Sequence, residues 1–388
     1  MTIHREVLKA HVPSGLLDEV SRREADMGER IGTLVSIESP SNDKAAVDQA
    51  QSCFLEWARA AGAEVVRHPY REFGDSLQVS FGEQHRGQPP IMLLGHLDTV
   101  WNVGTLAKMP WCATPDRLTG PGVLDMKSGL VMALTAVEVL QQLDLLQRPV
   151  TLLIHGDEEV GSPASRELTE TEARRASAIY VLEPAQGEAG AYKTARKGVG
   201  RYRLRVDGVA AHSGVDFESG HSAIVELARQ IEVLHSLTDL REGTTINPGI
   251  IGGGTGSNVV AAEAWVEIDL RIAREQDVAR VDGALRKLHP FDKACRLTLS
   301  GGMNRPPMER TPGTVALFRR AQMLGEQLGL VLEEASTGGG SDGNFTSALG
   351  LPTLDGMGAV GAGAHAPHEH VVRSQLVPRT ALLAAMLL

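Results

Sequence analysis

Apolar residues recur at helical spacing in some parts of the chain and form short unbroken runs in others. Residues 43–62 and 127–143 have apolar positions three and four apart, which predicts two helices. The predicted strands at 91–94, 150–155 and 179–182 are mainly apolar, without alternating polar positions, which is typical of strands buried on both faces. Because such strands alternate with helices, the first half of the chain predicts a mainly parallel sheet with helices on both faces.

The pattern changes near residue 198. The predicted elements then follow in the order strand, helix, strand, strand, helix, strand: 200–206, 222–237, 244–251, 257–271, 275–288 and 294–300. This order is that of a ferredoxin-like β-α-β-β-α-β unit. Later elements return to the first pattern, at 311–329, 330–335, 352–355 and 375–388. We therefore predict an α/β fold in which residues 1–197 and 307–388 form one domain and residues 198–306 form an inserted domain.

Composition narrows the class of protein. A chain of 388 residues with 42% hydrophobic and 22% charged residues is long enough for two domains, and no apolar run is long enough to span a bilayer. The N-terminal sequence lacks the apolar segment of a secretory signal and the three cysteines are scattered, so we expect a cytoplasmic protein without a membrane role. The formal net charge of −10 argues against nucleic-acid binding.

Acidic and histidine side chains directly follow the predicted buried strands. The stretch HGDEEVGS ends the strand 150–155 with three consecutive acids, whose mutual repulsion requires a positive partner. Other candidates for the same site are His96, Asp98, Asp125, Glu183 and His365. Histidine nitrogen and carboxylate oxygen suit zinc or a similar divalent metal, and more than four such ligands suggest two metals that share a bridging ligand.

Each of these residues by itself has a simpler interpretation. His96 could be a histidine held by Asp98, and Asp125 could cap the helix that follows it. Their joint order, at strand ends and a helix start, favours a shared metal site. Past a strand end, Glu158 and Glu159 point in different directions, so one can bind metal while the other faces the reacting water.

Six stretches of the chain resemble one family specifically. LLGHLDTVW, GPGVLDMKSGL, IHGDEEVGS, VLEP, GVAAHSG and GGGSDGNF are similar to those of the co-catalytic zinc aminoacylase and glutamate carboxypeptidase metallopeptidase family, most closely to its glutamate carboxypeptidase branch. The resemblance implies that residues 1–197 and 307–388 form the catalytic domain and that the insertion is a dimerisation, or lid, domain. It also implies Glu158 as general base and Asp98 as the residue that orients His96.

The resemblance further implies a centre with two zinc ions per chain, for which cobalt or manganese could substitute. Its implied ligands are His96 and Glu183 on one ion, Glu159 and His365 on the other, and Asp125 as the bridge. The family has a single histidine where this chain offers His365, His368 and His370. Alignment on Glu369 favours His365.

Residues outside these ligands are implied in substrate binding and in catalysis. His212 would reach the active site of the partner subunit, which would make the protein a homodimer through its inserted domain. Arg271 would bind the substrate carboxylate with its planar fork, with Asn258 beside it. Backbone amides of residues 338–341 would help to hold that carboxylate, which implicates Gly339, Gly340 and Ser341. Taken alone, His212 could instead cap a turn, and Asn258 could be an ordinary turn residue.

The function implied is metal-assisted hydrolysis of an amide bond. A hydroxide shared by the metals, formed with Glu158 as base, would release a C-terminal amino acid, with glutamate as the candidate, from a small peptide or N-acyl amino acid. One alternative is an N-acyl amino acid deacylase of the acetylornithine deacetylase or aminoacylase type. Another is an inactive dimeric binding protein on the same fold. We reject a nucleotide site at the Gly338-x-Gly340-x-x-Gly343 match, because Asp342 would face the pyrophosphate.

Overall fold

The protein is described here by a computed structural model that covers residues 11–85 and 87–388. The first ten residues, which belong to the stretch searched for a secretory signal, lie outside the described residues. Two compact units make up the chain. The first comprises the chain up to Ala195, Arg310–Thr337 and Ser341–Leu388, and the second comprises Arg196–Glu309 and Gly338–Gly340. The division differs from the predicted boundaries by a few residues and places Gly338–Gly340 with the inserted unit.

The helices and strands of the described residues have the following bounds. The helices are α1 (Leu16–Arg22), α2 (Glu24–Val35), α3 (Lys44–Ala60), α4 (Ser128–Gln142), α5 (Arg166–Ala173), α6 (Ala223–Ser236), α7 (Glu275–Arg286), α8 (Pro312–Gln327), α9 (Gly343–Ala348) and α10 (Arg373–Met386). The strands are β1 (Glu64–His68), β2 (Gly74–Phe81), β3 (Ile91–His96), β4 (Cys112–Ala113), β5 (Arg117–Thr119), β6 (Val150–Gly156), β7 (Ala178–Val181), β8 (Tyr192–Arg196), β9 (Gly198–Asp207), β10 (Thr245–Gly253), β11 (Glu263–Ile272), β12 (Arg296–Arg305), β13 (Glu334–Thr337), β14 (Thr353–Leu354), β15 (Gly361–Ala362) and β16 (His370–Val372).

The bounds correct several sequence predictions. The strand predicted at 257–271 begins only at Glu263, and the strand predicted at 330–335 is found at Glu334–Thr337. Helices α1 and α2 and strand β2 were not predicted. Within residues 11–85 and 87–388, none of the helices has the length and apolar character needed to cross a membrane.

The first unit is built on a six-stranded sheet in the order β1-β2-β6-β3-β7-β14. Strands β6, β3, β7 and β14 pair in parallel, and β1 and β2 are antiparallel additions at one side. Along β3, Leu93 packs into one hydrophobic cluster whereas Met92 and Leu94 pack into another. Both faces of the sheet are therefore covered, which confirms the predicted α/β class and explains the mainly apolar strands.

Helix α4 covers one face of this sheet and is almost entirely buried. Every residue from Ser128 to Val137 is buried. Burying a leucine-sized side chain stabilises a fold by about 1.5–3 kcal/mol, so this helix contributes strongly to the core. Its first turn has no side-chain cap. The interpretation of Asp125 as a simple helix cap is therefore not what the structure shows.

The parallel strands bring their carboxyl ends to one edge of the sheet. His96 ends β3, Asp157 directly follows β6, and Glu183 lies two residues beyond β7. Ligand sites in open α/β sheets form at this edge, because loops from neighbouring strands converge there.

A second, four-stranded antiparallel sheet in the first unit joins two loops that are distant in sequence. Its order is β15-β16-β5-β4, and His370 of β16 lies opposite Thr119 of β5. The loop after β5 contains Asp125, and the loop before β16 contains His365. This pairing brings the two loops beside each other although Asp125 and His365 are 240 positions apart in sequence.

The second unit has the predicted strand and helix order. Its sheet is antiparallel in the order β10-β11-β9-β12, with α6 and α7 as the two helices of the unit. Leu204, Val206 and Leu270 belong to its own hydrophobic cluster. The unit is therefore a separate ferredoxin-like fold, as the sequence predicts.

Candidate metal centre

The carboxylate of Asp125 lies between two histidines in the first unit. Its Oδ1 is 3.4 Å from Nε2 of His96, and its Oδ2 is 3.2 Å from Nε2 of His365. The two histidines are 269 positions apart in sequence and lie next to different oxygens of the same carboxylate. Each carboxylate oxygen thus has its own histidine, which is the arrangement expected of a bridging ligand.

Three further acids complete the cluster. Oε1 of Glu183 is 3.5 Å from Nε2 of His96, and Oε1 of Glu159 is 3.1 Å from Nε2 of His365. Potential ligand atoms of His96, Glu158 and Glu183 all lie within 4.8 Å of one another. The same is true of His96, Asp125 and Glu159. The structure thus brings together all of the predicted ligands and the predicted base.

Asp98 connects the His96 loop with the acid pair that follows β6. Nδ1 of His96 is 2.9 Å from the backbone carbonyl of Asp98 and 3.5 Å from its carboxylate. That carboxylate also accepts the backbone N–H groups of Glu158, at 3.2 Å, and Glu159, at 3.1 Å. The hydroxyl of Ser41 donates a third hydrogen bond to it, at 2.6 Å. The sequence predicts the contact with His96, whereas the other contacts emerge only from the fold.

Only one of the three late histidines, His365, faces the cluster. His370 is buried, with Nδ1 at 2.9 Å from the carbonyl of His368 and Nε2 at 3.3 Å from Glu188. The His368 side chain is exposed. His365 has a left-handed backbone conformation, with φ of 62°. This conformation is unusual for a residue with a side chain and is concentrated at functional sites.

The pKa values of the cluster reflect the crowding of charges. Burial alone would lower the pKa of His96, but Asp125, Asp98 and Glu183 raise it well above its usual range. Asp125 and Glu159 raise the pKa of His365 to about 11. Burial raises the pKa of Glu159 to about 7, although His365 opposes this shift. Burial would also raise the pKa of Asp125, but the two histidines hold it far below its usual range.

The cluster fits a divalent metal. Nε2 of His96 and Oδ1 of Asp125 are both buried and make no hydrogen bond within the described part of the chain. Such atoms are costly to bury unless another partner satisfies them. Imidazole nitrogen and carboxylate oxygen together form a ligand set typical of zinc and related metals, and a cation would offset the repulsion among the acids.

Two buried residues of this region were not assigned a role from the sequence. Glu369 is 1% exposed and accepts hydrogen bonds from the loop that contains Asp125. Lys127 donates to the carbonyl of Ile37 at 2.8 Å, and burial lowers its pKa to about 7. The sequence signals that could have indicated them are a lysine at the start of an apolar helix, for Lys127, and an acid between histidines, for Glu369.

The second unit contains the other predicted catalytic residue, His212. Its side chain is exposed, and its Nδ1 accepts the backbone N–H of Gly214 at 3.2 Å. Asn258 is exposed nearby, and its backbone carbonyl accepts the N–H of Ser213 at 3.0 Å. His212 therefore does stabilise a turn, as the simpler interpretation held. Because Nδ1 accepts this hydrogen bond, a neutral imidazole carries its proton on Nε2.

Arg271 and the segment 338–340 are in contact within the second unit. The guanidinium of Arg271 forms a bidentate pair with Asp269, at 2.7 and 2.9 Å, and Nη1 donates to the carbonyl of Gly338 at 3.3 Å. Arg196 donates to the carbonyls of Gly339, at 3.2 Å, and Gly340, at 3.3 Å. Two arginines therefore hold this glycine segment by its carbonyl groups.

Ser341 belongs to the first unit and has a structural role. Its hydroxyl donates to Asp355 at 2.6 Å, and its N–H donates to the side chain of Asn344 at 2.9 Å. The residue is fully buried. In this conformation both groups stabilise the fold, so the anion contact predicted for Ser341 would have to displace one of these bonds.

Comparison with known proteins gives one family and several relatives. The profile of peptidase family M20/M25/M40 matches residues 92–388. The chain is 27% identical over 364 residues to carboxypeptidase G2 from Pseudomonas sp. (strain RS-16), across 92% of this chain and 86% of that protein. It is also 27% identical over 322 residues to succinyl-diaminopimelate desuccinylase from Delftia acidovorans, across 75% of this chain and 79% of that protein.

Solved structures share the fold. Aminopeptidase PepT from Bacillus cereus ATCC 10987 superposes with a TM-score of 0.77 at 20% identity, across 94% of this chain and 98% of that one. At this level of identity the likeness concerns the fold alone.

Proposed function

The chain belongs to peptidase family M20/M25/M40, and on this basis we propose that it is a two-zinc hydrolase that releases a C-terminal amino acid from a small peptide or an N-acyl amino acid. Family membership makes it a hydrolytic enzyme of a metallopeptidase family, which leaves the inactive binding protein without support. Glutamate is the candidate for the residue released. A cytoplasmic location stays a prediction from the sequence.

The position of Asp125 is the observation that carries the proposal. One oxygen faces His96 and the other faces His365, at 3.4 and 3.2 Å. Glu183 would complete the ligands beside His96, and Glu159 would complete those beside His365. Two cations in these positions would polarise the amide carbonyl and lower the pKa of the attacking water.

Glu158 is the residue that would move the proton. It is 9% exposed, and one of its oxygens lies within 4.8 Å of ligand atoms of His96 and Glu183. Its backbone N–H is held by Asp98, so its side chain leaves the strand end in a fixed direction. We assign to Glu158 the acceptance of a proton from the attacking water and its delivery to the leaving amine.

Residues of the second unit would bind the substrate. Asp269 binds the Nε and Nη2 side of the Arg271 guanidinium and fixes its orientation, so its Nη1 and Nη2 side would bind the substrate carboxylate. The amides of Gly339 and Gly340, with Asn258, would add donors. His212 would stabilise the developing negative oxygen in the partner subunit, through its Nε2–H.

Homodimerisation through the second unit is part of the proposal. Its surface carries exposed apolar side chains, which include Val215 at 82%, Phe217 at 66%, Ile250 at 56% and Ile251 at 62%. Ile250 and Ile251 lie on β10, one of the two edge strands of its sheet. Exposed apolar groups beside a strand edge are typical of a surface that another chain covers, and a second copy of this chain is the partner we propose.

A second candidate function is deacylation of a small N-acyl amino acid. Similarity to succinyl-diaminopimelate desuccinylase over 75% of the chain favours it. Both candidates require the same metal centre, and they differ in the group on the acyl side of the bond that is cleaved.

The test combines metal content with hydrolysis. Purified protein would be analysed for metal per chain and assayed on peptidyl, N-acetyl and N-succinyl amino acids, before and after chelation and after reloading with zinc. We expect two zinc equivalents and chelator-sensitive release of a free amino acid. The proposal would be overturned if the purified protein contained no metal and hydrolysed none of these substrates after reloading with zinc, cobalt or manganese.

A further inference from the structure

A buried carboxylate beside the centre accepts four N–H groups. Oε1 of Glu369 accepts the backbone N–H of Leu124, at 2.8 Å, and of Asp125, at 3.1 Å. Oε2 accepts the backbone N–H of Gly122, at 3.1 Å, and the indole N–H of Trp101, at 2.9 Å. The residue is 1% exposed, so these bonds are shielded from water.

The four donors come from two loops, and Glu369 itself belongs to a third. Trp101 follows the segment that contains His96, and Gly122 to Asp125 form the loop that ends in the bridging carboxylate. Glu369 lies four residues after His365, in a turn closed by hydrogen bonds from Ala366 to Gly363 and from Glu369 to Ala366. One side chain therefore links the three segments that contain His96, Asp125 and His365.

The contact with Asp125 has a direct geometric consequence. Its backbone N–H is held at 3.1 Å by Glu369, while its carboxylate lies between His96 and His365. Because the side chain of aspartate is short, the position of its backbone decides where its two oxygens lie. A shift of the 122–125 loop would move both oxygens relative to both histidines.

We propose that Glu369 is a positioning residue for the metal centre, which sets the distance between Asp125 and His365 by joining their two loops. This inference rests on the proposed function, because it concerns the same centre. Residues that hold metal ligands in place commonly change metal affinity or activity by about 10–100-fold when they are replaced.

Glu369→Gln is the sharpest substitution available. It keeps the volume of the side chain but replaces one oxygen with an NH2 group. Each oxygen of Glu369 accepts two N–H groups, so either orientation of the amide places a donor against two donors. The loop must then shift or leave buried N–H groups without an acceptor.

Glu226→Gln is a matched control. Glu226 is also 1% exposed and accepts two backbone N–H groups, from Phe291 and Asp292, both at 3.0 Å. It belongs to the second unit and binds a loop without any predicted metal ligand. Its replacement should lower the stability of the protein and leave the metal centre unchanged.

The experiment is a titration of the full-length, chelator-treated proteins with zinc against a fluorescent competitor, together with the absorption spectrum of the cobalt-loaded forms. In Glu369→Gln we expect at least one metal equivalent to bind about 10–100-fold more weakly, with an altered cobalt spectrum. Wild type and Glu226→Gln should share one spectrum and one affinity. Equal affinity and an equal spectrum in Glu369→Gln would overturn the inference, even if that variant is less stable.

Two further measurements separate the possible failures. If Glu369→Gln does not fold, Glu369→Asp decides, because it keeps the carboxylate but shortens the side chain and so draws it away from the Asp125 loop. Weaker metal binding supports the inference, and unchanged binding overturns it. Wild-type protein that binds no metal would overturn the proposed function and this inference together. If the wild-type protein binds metal and Glu369→Gln binds it equally well, this inference alone is overturned.

Discussion

The carboxylate of Asp98 accepts the backbone N–H of Glu159 at 3.1 Å. Glu159 lies 61 residues further along the chain, at the end of a neighbouring parallel strand. Asp98 also contacts His96, at the end of its own strand. A single acid thus holds a predicted ligand on β3 and the predicted ligand and base that follow β6.

This relationship predicts a large effect for Asp98→Asn. The amide retains one acceptor oxygen and presents a donor to a backbone N–H, so the segment with Glu158 and Glu159 should lose its fixed position. We expect metal affinity and kcat/KM to fall, each by about 10–100-fold. Metal titration and steady-state kinetics measure both. Ser41→Ala, which removes only one donor to Asp98, is the graded control, and an Asp98→Asn enzyme with wild-type values would contradict this account.

Glu158→Gln should separate metal binding from turnover. The amide cannot accept a proton, whereas the proposed ligands are other residues, so both metals should remain bound while kcat falls by about 100- to 10,000-fold. Elemental analysis and single-turnover kinetics on the same preparation provide the measurement. Glu188→Gln removes an exposed carboxylate that contacts His370, and it should retain activity. A Glu158→Gln enzyme with near-normal turnover would remove this residue from the base role.

Mixing two inactive variants tests whether His212 acts in the partner subunit. In a heterodimer of Glu158→Gln and His212→Ala chains, one of the two sites would have an intact Glu158 and receive His212 from the other chain. Random exchange of subunits makes half of the dimers mixed, so recovery of about a quarter of wild-type activity is expected. Activity is measured after subunit exchange and compared with each variant alone. If no activity returns although mixed dimers form, His212 does not act across the interface.

The proposed dimer surface predicts a change in mass on Ile250→Glu. Ile250 is 56% exposed on an edge strand, so the isolated chain should tolerate the charge, whereas a dimer would have to bury it. We expect a shift from dimer to monomer in sedimentation or light scattering, with an unchanged circular dichroism spectrum. Val331→Glu, at a position 84% exposed in the first unit, is the control and should leave the mass unchanged. A dimeric Ile250→Glu protein would exclude this surface.

Strand β2 shows where sequence patterns were insufficient. It is largely buried and lies between β1 and β6, yet its sequence contains the polar residues Asp75, Ser76 and Gln78. A sequence with so many polar residues does not indicate a strand at the inside of a sheet. Each polar side chain has a partner from elsewhere: Lys44 for Asp75, His155 for Ser76 and Glu172 for Gln78. Burial of polar groups depends on partners that are remote in sequence, so local periodicity cannot predict it.

The sequence by itself determined most of the elements that carry the candidate site, although helices α1 and α2 and strand β2 were not predicted from it. Three short apolar runs predicted buried strands, and the parallel pairing of such strands brings His96, Glu158 and Glu183 to one edge. The alternation of elements after residue 198 likewise determined the second unit.

Only the tertiary structure decided how these residues meet. It decided that His365, rather than His368 or His370, faces Asp125, because pairing of β16 with β5 and the left-handed turn at His365 aim that ring at the carboxylate. It also decided that Glu369 holds the Asp125 loop from 244 residues away. Side-chain contacts at such separations depend on the packing of the whole first unit, and no local pattern of apolar and polar residues contains them.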